Sequence, residues 1–188
     1  NAPSNEAFDG QSSNPYLDFN AGGLWYAVWD DNKSLYLGGA MHHLNTPSAS
    51  FTGDDQVRIF RRYTVHGGGE LPLTKQLSLM PAFLFMRQGP MMSTTLGANI
   101  RYTNREWKEL ALRTGIWSHV NNRADRGLGL DAVIVAAIFE LEKWNLGFSY
   151  DITSSGLSAS NYSRGAFEMS LTYIRPDRSR SRLICPKL

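Results

Sequence analysis

The chain has 188 residues, 19 of them basic and 17 acidic, which gives a formal net charge of +2. This length allows one domain or part of a larger one, and the scattered charge gives no reason to expect a nucleic-acid partner. Mean hydropathy is −0.32, and no run reaches the roughly 18 apolar residues of a membrane-spanning helix. These values do not exclude a transmembrane β-barrel, because lipid-facing and lumen-facing residues alternate along its strands.

The first part of the chain predicts a lead-in loop and a hairpin. Residues 1–14 carry Pro, Gly and Asn without an apolar period, which is typical of a loop. Residues 16–29 alternate with period two and predict a strand. Residues 30–33 have the composition of a hairpin turn, and residues 34–44 predict the returning strand. Residues 45–55, with Pro47 and Gly53, predict a loop.

The middle of the chain predicts five more strands, at residues 63–71, 77–87, 94–102, 110–119 and 131–141. Three glycines at 67–69 weaken the first of these or mark a bend, and Pro81 favours an edge strand or a bulge. Residues 105–108 predict a turn, and residues 121–129 a charged, glycine-bearing loop. The last of the five is apolar on both faces, so periodicity alone does not distinguish strand from buried helix. Its β-branched content favours a strand.

The clearest pattern is the final hairpin, residues 144–152 and 167–173, joined by the Ser- and Asn-rich residues 153–163. One parity is apolar and aromatic, and the other is polar. We therefore predict that this hairpin has one apolar, aromatic face and one polar face. The lumen-facing polar candidates are Asn145, Ser149, Asp151, Glu168 and Ser170.

Together these segments predict an all-β fold, an antiparallel up-and-down transmembrane β-barrel of about nine strands. Bacterial barrels of this kind normally close with an even number of strands, and an open sheet exposes two edges to aggregation. We therefore expect residues 15–174 to be the C-terminal part of a larger barrel. The N-terminal strands of that barrel would be absent from this chain.

Aromatic residues near predicted strand ends suggest a membrane interface. A girdle of Trp and Tyr marks the bilayer boundary in membrane barrels, whereas in a soluble sandwich the same residues would be core or scattered surface. The interface candidates are Trp25, Trp29, Trp144, Tyr150 and Tyr173. Trp107 and Trp117 also lie near predicted strand ends or turns and fit the same interpretation.

Possible catalytic and metal-binding residues give only weak signals. His42 and His43 are adjacent, so on a strand they point to opposite faces and do not bind one ion. Glu140, Glu142 and Glu168 could supply paired carboxylates, but nothing in the sequence fixes their separation. We predict no catalytic residues, no metal site and no cofactor.

The C-terminal residues 175–188 form a basic tail that ends in Cys-Pro-Lys-Leu. A solvated extension is one interpretation, and an electrostatic contact with an acidic partner or lipid headgroups is the other. Cys185 is the single cysteine, so an internal disulfide is excluded.

Several ordered motifs resemble the PorP/SprF family of type IX secretion system membrane proteins. They begin with Asp18-Phe-Asn-Ala-Gly-Gly-Leu-Trp-Tyr and the segment from Leu35 through His42-His43-Leu44 to Pro47. They continue with Leu79-Met-Pro-Ala, Leu96-Gly-Ala-Asn-Ile-Arg, Leu130-Asp-Ala, Gly147-Phe-Ser-Tyr-Asp-Ile, Gly165-Ala-Phe-Glu-Met-Ser-Leu-Thr-Tyr and Cys185-Pro-Lys.

This resemblance implies an outer-membrane β-barrel of Bacteroidota, a Gram-negative group, that takes part in type IX secretion and, in gliding cells, in displaying surface adhesins. The implied partners are outer-membrane lipid, other type IX secretion components and the C-terminal domain of a secreted adhesin. The family supplies no catalytic residues.

Two other hypotheses come from the residues themselves. A soluble β-barrel or sandwich that binds a small apolar ligand predicts that Leu146, Phe148 and Leu171 are shielded from solvent by protein. A carbohydrate-active enzyme would need Glu140 and Glu168 within roughly ten ångströms of each other.

Overall fold

The computed structural model of the chain describes residues 16–30, 32–48, 58–104, 110–123, 127–154 and 165–175. These residues form nine β-strands, with bounds as follows: β1 Ala21–Asp30, β2 Lys33–His42, β3 Arg62–Pro72, β4 Leu77–Gln88, β5 Met91–Thr103, β6 Leu110–Arg123, β7 Gly127–Leu141, β8 Trp144–Thr153 and β9 Phe167–Tyr173. Among them there is no helix long and apolar enough to cross a membrane.

All nine strands of the described chain belong to one antiparallel sheet, in the order in which they follow along the sequence. Within this sheet β1 pairs only with β2 and β9 only with β8, so the sheet is open. This confirms the predicted all-β, up-and-down fold and is consistent with a partial barrel. The domain limits remain a prediction; the lead-in loop and residues 176–188 lie outside the described residues.

Several strand limits differ from the prediction. The first strand begins at Ala21 rather than at residue 16, and β2 ends at His42 because His43 takes a positive φ of 58°. Within the predicted loop at 121–129, residues 121–123 and 127–129 are strand, and residues 124–126 lie outside the described residues. There the pairs Asn121↔Gly129 and Asn122↔Leu128 continue the ladder beyond an irregularity at His119/Val120. Backbone pairing overrides the polar composition, because a polar residue can extend a strand whose partner is already in place.

Pro81 lies in a central strand, so of the two predicted alternatives, an edge strand or a bulge, the edge strand is wrong. It pairs with Ala98 of β5 in continuous register. On the β3 side, the paired residues stop at Gly68↔Ala82 and resume at Leu71↔Leu79. Pro81 lies within this gap, which suits a residue that has no N–H to donate to the ladder.

The two faces of the sheet differ in shape as well as in polarity. One cavity of about 260 Å³ is lined by residues of β2, β3, β4, β5, β6 and β7. Six consecutive strands span about 24 Å in a flat sheet at about 4.8 Å per strand spacing, so a single cavity touching all six requires a concave surface. We call the face that bears Tyr36, Asn99 and Trp117 the inner face, and the opposite face the outer face.

Gly115 is a position where the inner face leaves no room for a side chain. A Cβ at Gly115 would collide with the Asn99 side chain and the Ala98 carbonyl, whereas a Cβ at Gly23 of β1 meets no atom of the described residues within 4 Å. We expect Gly115→Val to lower the free energy of unfolding by about 1–3 kcal/mol through overpacking, and Gly23→Val to leave it nearly unchanged. Urea unfolding followed by tryptophan fluorescence measures both, and equal losses in the two variants would contradict the packing described for Gly115.

Candidate functional site

The outer face is an apolar surface along the described sheet. Leu96 is 47% exposed, Ile116 63% and Leu171 64%. Other exposed apolar residues of this face are Leu35, Leu37, Val65, Phe83, Ile100, Val135, Phe139, Ile152, Phe167 and Met169. Continuous exposed apolar area of this kind marks a surface that meets lipid or a partner.

The predicted interface aromatics are all exposed, and their positions along the strands differ. Trp29, Trp144 and Tyr173 lie at one end of the sheet, where the rings of Trp144 and Tyr173 are 4.7 Å apart. Tyr150 lies toward the other end of β8, and Trp25 lies in the middle of β1, opposite Leu37. A boundary role for these five residues remains a prediction.

Trp117 departs from the girdle interpretation. It lies within β6 on the inner face, opposite Gly97, and its indole Nε1–H donates to Asn99 Oδ1 over 3.3 Å. The sequence placed it near a strand end because β6 was predicted four residues too short. Trp107 lies outside the described residues.

The predicted polar candidates share the inner face. In the register of β8 and β9, Ser149 lies opposite Glu168, Gly147 opposite Ser170 and Asn145 opposite Thr172. Asp151 has the same parity as Ser149, so the five candidates form a polar row across the inner face of β8 and β9. Whether this row faces a water-filled lumen remains a prediction.

An ion-pair cluster on the inner face is the strongest polar feature of the described residues. Arg101 of β5 donates from Nε to Glu140 of β7 over 2.8 Å, and its Nη1 lies 3.5 Å from Glu70 of β3. Arg113 of β6 lies 3.4 Å from Glu140. The four side chains are only 14–17% exposed. This inner cluster connects β3 to β7, whose backbones are about 19 Å apart in a flat sheet.

The sequence did not identify this cluster, because Arg101 is 39 residues from Glu140 and 31 residues from Glu70 along the chain. One signal was present: Arg101, Arg113 and Glu140 each interrupt a strand whose other face is apolar. Charges on the polar parity of neighbouring strands come together only once the strand order and the register are known.

Histidines on or near the inner face are hydrogen-bonded or packed against rings. His119 Nδ1 lies 2.9 Å from Thr95 Oγ1, and the His66 ring lies 6.0 Å from that of Tyr36. His43 Nδ1 lies 3.0 Å from Asp18 Oδ2. No group of three His, Cys, Asp or Glu that could hold a metal ion occurs in the part of the chain that the structure describes.

The two glutamates of the enzyme hypothesis are not brought together. Glu168 lies opposite Ser149, which lies opposite Ala136, four residues before Glu140 on β7. Their backbones are therefore about 16 Å apart, given a rise of about 3.3 Å per residue and a strand spacing of about 4.8 Å. Glu140 is also held by two arginines, and Glu142 lies beyond the end of β7, in the turn before β8.

The two ends of the described sheet carry different connections. At one end the strands are joined by residues 31–32, 73–76, 104–109 and 142–143, and at the other by residues 43–61, 89–90, 124–126 and 154–166. The predicted loops at 45–55 and 153–163 therefore start from the same end, although residues 49–57 and 155–164 lie outside the described residues. We call these the short-turn end and the long-loop end.

A hydrogen-bonded latch ties the segment before β1 to the start of the first long loop. Asn45 donates from Nδ2 to Leu17 O over 2.7 Å and accepts from Phe19 N–H. Asn20 accepts from His43 N–H over 3.1 Å, and Leu44 N–H donates to Phe19 O. The Asp18 contact with His43 completes the latch, so the motif residues around Asp18 and His43 meet at the long-loop end.

Comparison with known proteins gives one match. A family model described as "Type IX secretion system membrane protein PorP/SprF" matches residues 1–173. Searches of curated proteins and of solved structures gave no match. The matched range covers more than half of the chain and includes every described strand.

The inner cluster should be a measurable source of stability. Glu140→Gln removes the carboxylate that pairs with both Arg101 and Arg113, so we expect it to lower the free energy of unfolding by about 1–3 kcal/mol. Glu142→Gln, an exposed turn residue two positions away, should change it by no more than about 0.5 kcal/mol. Chemical unfolding followed by tryptophan fluorescence compares the two, and a Glu140→Gln effect as small as that of Glu142→Gln would contradict a stabilising role for the cluster.

Proposed function

Because the chain belongs to the PorP/SprF family of type IX secretion system membrane proteins, we propose that it is a non-enzymatic outer-membrane β-barrel component of type IX secretion. In this role it would anchor or dock secreted adhesins at the surface of a Gram-negative cell of the Bacteroidota. In gliding cells the same role would contribute to motility. The observation that carries the proposal is the exposed apolar outer face of a concave antiparallel sheet, together with the family match.

The chemistry of the two faces supports a position across the membrane. An exposed Leu, Ile or Phe on the outer face is favourable against acyl chains and unfavourable against water. The ion pairs of the inner face suit a polar barrel interior, because charged groups within a membrane protein lie away from lipid and pair with one another. Outer-membrane lipid is therefore the proposed partner of the outer face.

The lengths of the connections support an orientation. Outer-membrane barrels have short periplasmic turns and longer extracellular loops. We therefore propose that the long-loop end faces the outside of the cell and that the short-turn end faces the periplasm. The loops at 45–55 and 153–163 would then be available to hold the C-terminal domain of an adhesin, while other components of the secretion system reach the remaining surfaces.

A soluble barrel with an apolar ligand agrees less well with the structure. That hypothesis requires protein to cover Leu146, Phe148 and Leu171. Leu146 and Phe148 are half-buried, whereas Leu171, on the edge strand β9, is 64% exposed in the described chain. The inner cavity is lined in part by Glu70, Asn99 and Arg113 rather than by apolar residues alone. The enzyme hypothesis also agrees poorly with the structure, because the backbones of Glu140 and Glu168 are about 16 Å apart.

Neighbouring residues of β9 provide a test of membrane placement. Met169 lies on the outer face and Ser170 on the inner face, and both are exposed. We expect Met169→Arg to reduce folding into lipid vesicles by an equivalent of about 2–4 kcal/mol, the cost of an arginine facing lipid near the bilayer midplane. Ser170→Arg, one residue away, should insert nearly as well as the unchanged protein.

Gel-shift assays of folded and unfolded protein after vesicle insertion measure this difference. A larger loss for Ser170→Arg would reverse the assignment of the faces. Full solubility of the unchanged protein as a monomer without detergent or lipid would overturn the proposed membrane position.

The docking role is tested by exchanging loop residues in the living cell. Replacing residues 49–55 and 155–163 by Gly-Ser segments of equal length should lower the amount of adhesin on the cell surface, because the docking contacts are lost while the strands are retained. The control replaces Glu142 and Lys143 at the short-turn end with serine. Surface labelling of the adhesin, with immunoblotting of the barrel, gives the readout, and normal display at normal barrel levels would contradict docking by these loops.

A further inference from the structure

A groove on the outer face lies at the long-loop end of β3 and β4. It has a volume of about 720 Å³ and is lined by Thr46, Arg58, Ile59, Phe60, Arg61, Tyr63, Phe85, Arg87 and Gly89. Among the described residues, its lining contains arginines and aromatic residues but no carboxylate. None of the functions considered above uses it, and nothing in the sequence signalled it, since its arginines come from two distant segments.

The arginines of the groove carry charge that the described residues do not neutralise. Arg58, Arg61 and Arg87 are exposed, and within the described part of the chain none of them forms an ion pair with a carboxylate. The cationic guanidinium group is a strong ligand for phosphate oxygens, because its N–H donors form a planar fork that matches two of them.

Backbone contacts hold two of these groups in place. Arg61 donates from Nε to Leu44 O over 3.1 Å, and Arg87 donates from Nε to Gly89 O over 3.5 Å. Each bond uses one of the five N–H donors of a guanidinium. The four N–H donors on the terminal nitrogens of each side chain are therefore left for other acceptors.

The groove also has an apolar part around Phe60. Phe60 packs against Gly89, where a Cβ would approach the ring to 2.9 Å and where φ is +56°. Gln88 Nε2 donates to Phe60 O over 3.2 Å. Tyr63 and Arg87 are direct cross-strand partners, so a ring and a cation stand side by side on the outer face. The groove thus joins an apolar surface below to positive charge at the strand ends.

We propose that this groove binds a lipid of the outer leaflet through the phosphate of its headgroup. The inference rests on the proposed membrane position, because the groove then lies where acyl chains meet headgroups. At that depth the aromatic rings contact the lipid acyl chains, while Arg58, Arg61 and Arg87 reach the headgroup phosphates. The charge of the groove selects an anionic headgroup over a zwitterionic one.

The test uses the protein purified in detergent and mixed with diphosphorylated lipid A. We expect native mass spectrometry to show retained lipid A, and the variant Arg58→Gln/Arg61→Gln/Arg87→Gln to reduce this retention on the order of tenfold or more, since each arginine near a headgroup contributes to binding. The matched control is Arg62→Gln, because Arg62 is next to Arg61 but belongs to the inner-face register with His42 and Gln88. This control should retain lipid A like the unchanged protein.

Four outcomes would overturn the proposal: equal retention by the triple variant, equal loss in Arg62→Gln, equal retention of phosphatidylcholine, or complete displacement by millimolar inorganic phosphate. Vesicle insertion of the triple variant is measured separately. If the unchanged protein fails to insert, the membrane position fails. If it inserts but does not retain lipid A, only the lipid site fails.

Discussion

The register of antiparallel pairing is the constraint on which the rest of this structure depends. Side chains change face at every residue, so a slip of one residue between two strands would exchange the apolar and polar faces beyond that point. In the described sheet the pairing keeps Leu96, Ile116 and Leu171 on one side and Asn99, Trp117 and Ser170 on the other. The exposed apolar surface, the inner cluster and the outer groove all follow from this continuity.

The inner cluster shows how the sheet tolerates charge away from bulk water. Removing an arginine or a glutamate from water is costly unless a partner of opposite charge is close. Arg101 has two such partners, on strands to either side, and Glu140 also has two. Because these contacts run across the strands rather than along them, they stabilise the curvature that brings the side chains together. A flatter sheet would separate Glu70 from Glu140 and leave Arg101 between them with longer contacts.

The long-loop end combines features that the sheet alone does not require. The latch between Asp18 and His43 fixes the approach to β1, and the backbone contacts of Arg61 and Arg87 fix the edge of the groove. This order at one end contrasts with the short connections at the other. It fits a surface that the proposed function uses for recognition, with lipid on the outside of the strands and a protein partner above them.

The sequence by itself determined the kind of structure: the alternation in residues 144–152 and 167–173 fixed a two-faced hairpin, and the ordered motifs indicated the family that the comparison then showed. Parity is a local property, so it could be determined without a fold. The parity of the sequence did not predict that β6 extends to Arg123, that Trp117 lies on the inner face, or that Arg101 contacts both Glu70 and Glu140. Those outcomes depend on strand order, register and curvature, which join residues tens of positions apart, and therefore only the tertiary structure decided them.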